Sequence, residues 1–336
     1  MNLLLRALIG FAFFMMTNPA FAIPEQHYDE AWRNRVLPQF SQGKAGNFTA
    51  RDGVRIAYRL FDQEAPRACV VLLPGRTESV LKYAEVIFDL QKAGFSVAAM
   101  DLRGQGASQR LLPTPLGHVE HFEDYITDYE QFIREIVIPH FGQCKRVALA
   151  HSLGGAITTA VIQRNPDFFL GAALSAPMYQ VRTNPYPERI AQGVLRVMIA
   201  LGKANQASPD RGDYQHDPDF EHNEVTHSSA RFEMNATIER ENPGIKVDRP
   251  TVRWVSESIR ATQAIRKNAE SVSIPLLIFQ AEADRIVRKE AQTDFCSRAR
   301  HCERVPYAGA YHEILMEKDE VRNDAMTRLQ AFFSSF

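Results

Sequence analysis

A serine hydroxyl becomes a useful nucleophile when a base takes its proton and an acid orients that base. Ser152 stands in VALAHSLGGAI (147–157), between a strand-like apolar run and a run of small, helix-compatible residues. That pattern reads as a strand–turn–helix elbow, which lifts the hydroxyl above a sheet and needs small residues two before and two after it. Ala150 adds one methyl group where glycine is usual, and Gly154 and Gly155 leave the other side open. An A-x-S-x-G run by itself also fits an ordinary helix N-cap, so the reading depends on partners. Asp284 follows the apolar run LLIFQA and His312 follows VPYAG, giving the order Ser, Asp, His used by sheets of this kind. Glu282 competes with Asp284 as the orienting acid, and Asp284 is the choice.

A developing oxyanion needs two backbone N–H donors. Leu153, directly after the serine, is one candidate, at a helix N-terminus whose dipole favours negative charge. Arg76 is the other, in the turn LLPGRTES, where Gly75 frees the backbone. DLRGQGAS (101–108) is glycine-rich but lacks G-x-G-x-x-G at the start of a helix, so a dinucleotide loop is rejected. Asp101 and Arg103 are expected to brace that loop. His227 and Ser228, in VTHS, are expected to be structural.

The elements that must position these groups can be read from periodicity. A polar, helix-like lead (Glu25 to Lys44) precedes two alternating runs about Asp52-Gly53, the signature of a hairpin. Continuous apolar strands then alternate with helices. Phe122, Tyr125, Ile126, Tyr129, Phe132, Ile133 and Ile136, spaced by three and four, mark one buried helical face. Strands without polar alternation are expected where helices cover both faces of a parallel sheet, which makes this an α/β protein. The alternation stops after Ala176-Pro177 and resumes at IPLLIFQAEAD. The expected organisation is therefore a core of residues 23–177 and 268–336, with a helical lid, 178–267, inserted before the last two strands.

The 336 residues carry a net charge of −1, with 45% hydrophobic and 24% charged residues, ordinary values for a globular protein. No basic block interleaved with aromatics is present, which argues against a nucleic-acid partner. Residues 1–22 read as a signal peptide: Arg6, an apolar run from Ala7 to Met16, then Ala20-Phe21-Ala22. That run is too short for a membrane span of roughly 20 residues. Export to the periplasm or medium is expected, and there the four cysteines could pair. Cys69 and Cys144 each precede a strand and could meet if those strands are neighbours. Cys296 and Cys302 flank a helix-to-strand turn and could form a short staple. Four buried thiols are the alternative, and no cysteine or histidine spacing suggests a metal.

Taken together, these residues resemble the serine hydrolases of the α/β-hydrolase fold, and within them the bacterial lysophospholipase and monoacylglycerol lipase group. The resemblance runs from about Val54 to the C-terminus. It rests on PGRTES with KYAEV, DLRGQGAS, GHVEHFEDYITD, AHSLGGAI, LSAPM, VTHS, WVSESI and GAYHEILMEKD. It implies Ser152 as nucleophile, Asp284 as acid, His312 as base, and Arg76 and Leu153 as oxyanion donors, with no metal or organic cofactor. The implied reaction is hydrolysis of the acyl ester of a lysophospholipid, and a peripheral membrane contact is compatible with it. A monoacylglycerol lipase or general carboxylesterase is the near alternative, and a non-catalytic lipid-binding protein the distant one. Arg182, Arg231 and Arg253 are candidates to face a substrate phosphate.

Overall fold

The computed structural model describes residues 22–183, 185–209 and 219–336; the expected signal peptide therefore lies, apart from Ala22, outside the described residues. Eight strands are formed by Lys44–Thr49 (β1), Arg55–Phe61 (β2), Cys69–Leu73 (β3), Ser96–Met100 (β4), Arg146–His151 (β5), Ala172–Ser175 (β6), Leu276–Ala281 (β7) and Cys302–Tyr307 (β8). They make one sheet in the order β1-β2-β4-β3-β5-β6-β7-β8. β2 runs against both of its neighbours and all later pairings are parallel. The hairpin expected about Asp52-Gly53 joins β1 to β2, with Gly53 at φ 90°.

Successive strand residues serve opposite faces, and the core divides accordingly. Val71, Leu73, Ala148, Ala150 and Ile278 belong to one apolar cluster, while Val70, Leu72, Val147, Leu149 and Leu277 belong to the other. On the first face lie helices Phe122–Phe132 (α2) and Ser152–Arg164 (α3), with Val252–Lys267 (α6) and Lys289–Arg298 (α7). On the second lie short helical turns between Glu25 and Gln42, helix Ala84–Lys92 (α1) and the C-terminal helix Asp319–Ser334 (α8). Because both faces are covered, the parallel strands are apolar throughout rather than alternating.

Between β6 and β7 the described residues carry three α-helices: Glu188–Ala200 (α4), Ser229–Glu241 (α5) and α6. They do not form one body lying over one face. α6 joins the first core through Trp254 and Ile265, and Leu195 of α4 packs on its Val252 and Ile259. α5 joins the second core through Met234 and Ile238. The insertion thus straddles the end of the sheet.

Of the two alternatives left open for the cysteines, pairing is the one realised: Cys69–Cys144 and Cys296–Cys302 are bridged. The first follows from strand order, since Cys69 of β3 is in register with Arg146 of the adjacent β5, two residues beyond Cys144.

Candidate active site

β3 is the point where strand order reverses. The chain goes from β3 to β4 on one side and then crosses to β5 on the other. In open α/β sheets such a switch point leaves a crevice at the strands' C-terminal ends. Ser152 sits in it, at the junction of β5 and α3, with φ 48°. A non-glycine residue in that left-handed region costs of order 1–3 kcal/mol, and the surrounding packing enforces it. A Cβ on Gly154 would lie 2.4 Å from the carbonyl oxygens of Leu73 and Pro74, so helix and strand can approach this closely only with glycine there. Ala150 is accommodated within the first core.

Residues 152, 284 and 312, distant in sequence, form one line. Ser152 Oγ lies 2.9 Å from His312 Nε2, and His312 Nδ1 lies 2.7 Å from Asp284 Oδ2. The other Asp284 oxygen accepts from the amides of Ile286 (2.7 Å) and Val287 (3.0 Å), which fixes the carboxylate. A carboxylate can only accept, so Nδ1 carries the proton of the neutral imidazole and Nε2 is left to accept from Ser152. Burial pushes the Asp284 carboxyl up, but His312 and the two amides outweigh it and hold it below its ordinary value. Burial pushes His312 down, while the charge and hydrogen bond of Asp284 outweigh that and raise it. Glu282, the competing acid, instead pairs with Lys289 (2.8 Å) and Arg304 (3.4 Å).

The Gly75 turn closes the other side of the crevice. A Cβ on Gly75 would stand 3.2 Å from Ser152 Cβ. The side chain of Arg76 leaves this turn towards the insertion, donating to the Asp248 carbonyl (3.2 Å) and covering the Trp254 ring. Leu153, in the first turn of α3, has an amide of the kind that lacks an intrahelical acceptor.

Beneath these groups lies a polar cluster that sequence reasoning did not single out. Lys82 Nζ is 2.9 Å from Glu78 and 2.5 Å from Glu313, the neighbour of His312. Burial pushes Glu78 up, but Lys82 and His151 bring it to about 2. The His151 ring lies tilted against the His312 ring, 4.7 Å between centroids, and donates Nδ1–H to the Ser175 carbonyl (3.1 Å). Burial lowers it to about 4, so it is neutral beside the imidazolium that His312 would become. The i, i+4 spacing of Glu78 and Lys82 was visible, but nothing local showed that the pair would be buried.

The other expected residues fall as follows. Asp101 braces its loop, accepting from Val80 (2.7 Å) and Ala107 (2.9 Å), and Arg103 bonds Asp128 and Asp52. The VTHS segment holds the loop around His312. Thr226 bonds the Met316 carbonyl, His227 bonds Glu317 and stacks on Tyr311, and Ser228 caps α5. Of the three arginines considered for a phosphate, Arg231 is excluded. It is buried in a network with Glu85 (2.9 Å) and Asp319 (2.9 Å), which uses up its charge. Arg253 pairs with Glu120 and Arg182 bonds the Arg285 carbonyl, so the three do not converge.

The family described as serine aminopeptidase, S33 (Hydrolase_4) matches residues 64–319. The chain belongs to this family of hydrolases. It is 37% identical to lysophospholipase L2 of Escherichia coli K12 over 92% of this chain and 96% of that protein. It is also 31% identical to the probable lysophospholipase L2 of Haemophilus influenzae, over 93% and 99% of the two chains. A soluble variant of monoglyceride lipase from Saccharomyces cerevisiae superposes with a TM-score of 0.69 at 18% identity, over 88% of this chain and 94% of that one. That likeness establishes the α/β-hydrolase fold alone.

Proposed function

We propose that this hydrolase cleaves the single acyl ester of a lysophospholipid through an acyl-enzyme on Ser152. The observation that carries the reading is the continuous Ser152–His312–Asp284 hydrogen-bond line at the switch point, in a chain similar to lysophospholipases over nearly its whole length. The Ser152 hydroxyl attacks the ester carbonyl while His312 Nε2 takes its proton. The Leu153 and Arg76 amides receive the oxyanion. His312 then returns the proton to the departing glycerophospho-alcohol oxygen, and water attacks the acyl-enzyme by the same route in reverse. Asp284 stays ionised and stabilises the imidazolium.

Residues 178–267 act in this reading as the cap under which the acyl chain lies. A peripheral contact with a lipid surface is supported by α4, whose Ile190, Val194 and Val197, with Tyr186 and Leu201 beyond its ends, expose an apolar face beside the exposed Arg189, Arg196 and Lys203. Apolar residues flanked by cations suit an anionic membrane interface. Among the described residues no helix is long and apolar enough to cross a membrane. Export is proposed as well, supported by the leader-like residues 1–22 and by two cystine bridges, which persist in oxidising compartments.

Ser152→Ala should lower hydrolysis of lysophosphatidylethanolamine by about 10⁴-fold or more; near-normal turnover overturns the assignment. Parallel rates on monoolein and a nitrophenyl ester separate the substrate classes. A higher kcat/KM on monoolein would replace the lysophospholipid reading by that of a monoacylglycerol lipase. Absence of covalent labelling by a fluorophosphonate would point to a non-catalytic lipid-binding protein.

A further inference from the structure

The Gly75–Arg76 peptide is held from the side opposite Ser152. β3 lies between β4 and β5 in the sheet. The turn that follows β3 is therefore flanked by the loop after β4, which carries Gln105, and by the end of β5, which leads directly into Ser152. Gln105 Nε2 donates to the Gly75 carbonyl (2.6 Å) and to the Glu78 carbonyl (3.1 Å). The Gly75 amide donates to Glu78 Oε2 (2.5 Å), which also accepts from Tyr83 (2.7 Å). Gln105 and Glu78 are both buried. In a trans peptide the C=O and N–H point in opposite directions. A donor that draws the Gly75 carbonyl towards the β4 side thereby turns the Arg76 N–H towards the β5 side. The turn needs such a hold, because the β-branched Thr77 within it stands at φ 65°, a conformation that it would leave if unsupported.

We infer that Gln105, with Glu78, is a positioning residue for the reaction: it fixes the rotation of the 75–76 peptide and so aims the Arg76 amide at the oxyanion. The inference rests on the proposed role of Ser152. Gln105 touches no reacting atom, and its contribution exists only through the Arg76 N–H. The clamp should therefore favour the tetrahedral state over the ground-state ester.

The test measures Gln105→Glu, which keeps the size but loses the donor, and Gln105→Met as a second variant should the first fail to fold. Loss of a whole oxyanion donor costs about 10²–10³ in kcat. A misaimed one should cost about tenfold to hundredfold in kcat, with KM changed by less than about twofold. Affinity for a long-chain trifluoromethyl ketone, which captures the Ser152 oxygen as a tetrahedral adduct, should fall by the same factor. In an Arg76→Pro background, which lacks that N–H, Gln105→Glu should add less than about a further twofold. Unchanged kcat and ketone affinity in the folded variants overturn the inference, as do losses that multiply with those of Arg76→Pro. Failure of the Ser152 assignment is read separately, from activity surviving in Ser152→Ala.

Discussion

The crevice at the switch point and the outer helix α4 break the usual partition of side chains in opposite senses. At the crevice, ionisable groups are buried: Glu78, Lys82, Asp284 and His312 are at most 8% exposed. At α4, hydrocarbon is left in water, with Val197 59% and Leu201 68% exposed. The buried charges are tolerable because each has a partner at hydrogen-bond distance, whereas unpaired burial would cost several kcal/mol per ion. Among the described residues nothing covers the α4 face. The difference teaches that each region departs from the partition for its own reason: the crevice pairs its buried charges to do chemistry, and the exposed apolar face of α4 is what supports the lipid-facing role proposed for it.

That contrast predicts very unequal responses to substitution. The largest should come from Asp284→Asn, which keeps shape but removes the charge that orients and stabilises His312; kcat on a soluble nitrophenyl ester should fall by about 10⁴-fold. A loss below about tenfold would mean that the crevice does not depend on its buried charges. Next comes the pH response. His312 must be neutral to accept the serine proton, and its pKa is raised, with Asp284 outweighing burial. Activity should therefore decline as pH falls through that raised value. In Asp284→Asn the remaining activity should decline at a lower pH, because the group that raised the value is gone. An acid limb that stays in place would separate the limb from His312. The smallest effect belongs to Val197→Asp on α4. Binding to vesicles containing phosphatidylglycerol should weaken several-fold, with nitrophenyl ester turnover unchanged. Unchanged vesicle binding would remove the lipid-facing role of α4.

The same contrast marks what could be read in the sequence. The strands, the hairpin, the buried face of α2 and the order Ser152, Asp284, His312 all depend on local pattern and on a topology that few arrangements satisfy. They were legible for that reason. The choice of Asp284 over Glu282 needed only the turn after β7, which aims one carboxylate inward and leaves the other to Lys289 and Arg304. Arg231 was misread because its partners, Glu85 and Asp319, lie far away in sequence and nothing near it signals burial. Gln105 went unseen for a related reason: its loop announced a tight turn, while its contact is with a carbonyl 30 residues away. The straddling of the sheet end by α4, α5 and α6 is also a long-range property, set by which core each helix can complete.

The cystine between Cys69 and Cys144 fastens β3 to β5 at the ends remote from Gly75 and Ser152. A link closing 75 residues of chain restricts the unfolded ensemble by about 4 kcal/mol on entropic grounds, a large share of a typical domain's stability. Reductant would thus act on the blunt end of the molecule without touching the catalytic groups. Chains never oxidised should carry an intact set of reactive residues on a scaffold far easier to melt, so thiol status rather than active-site chemistry would govern how long the enzyme survives.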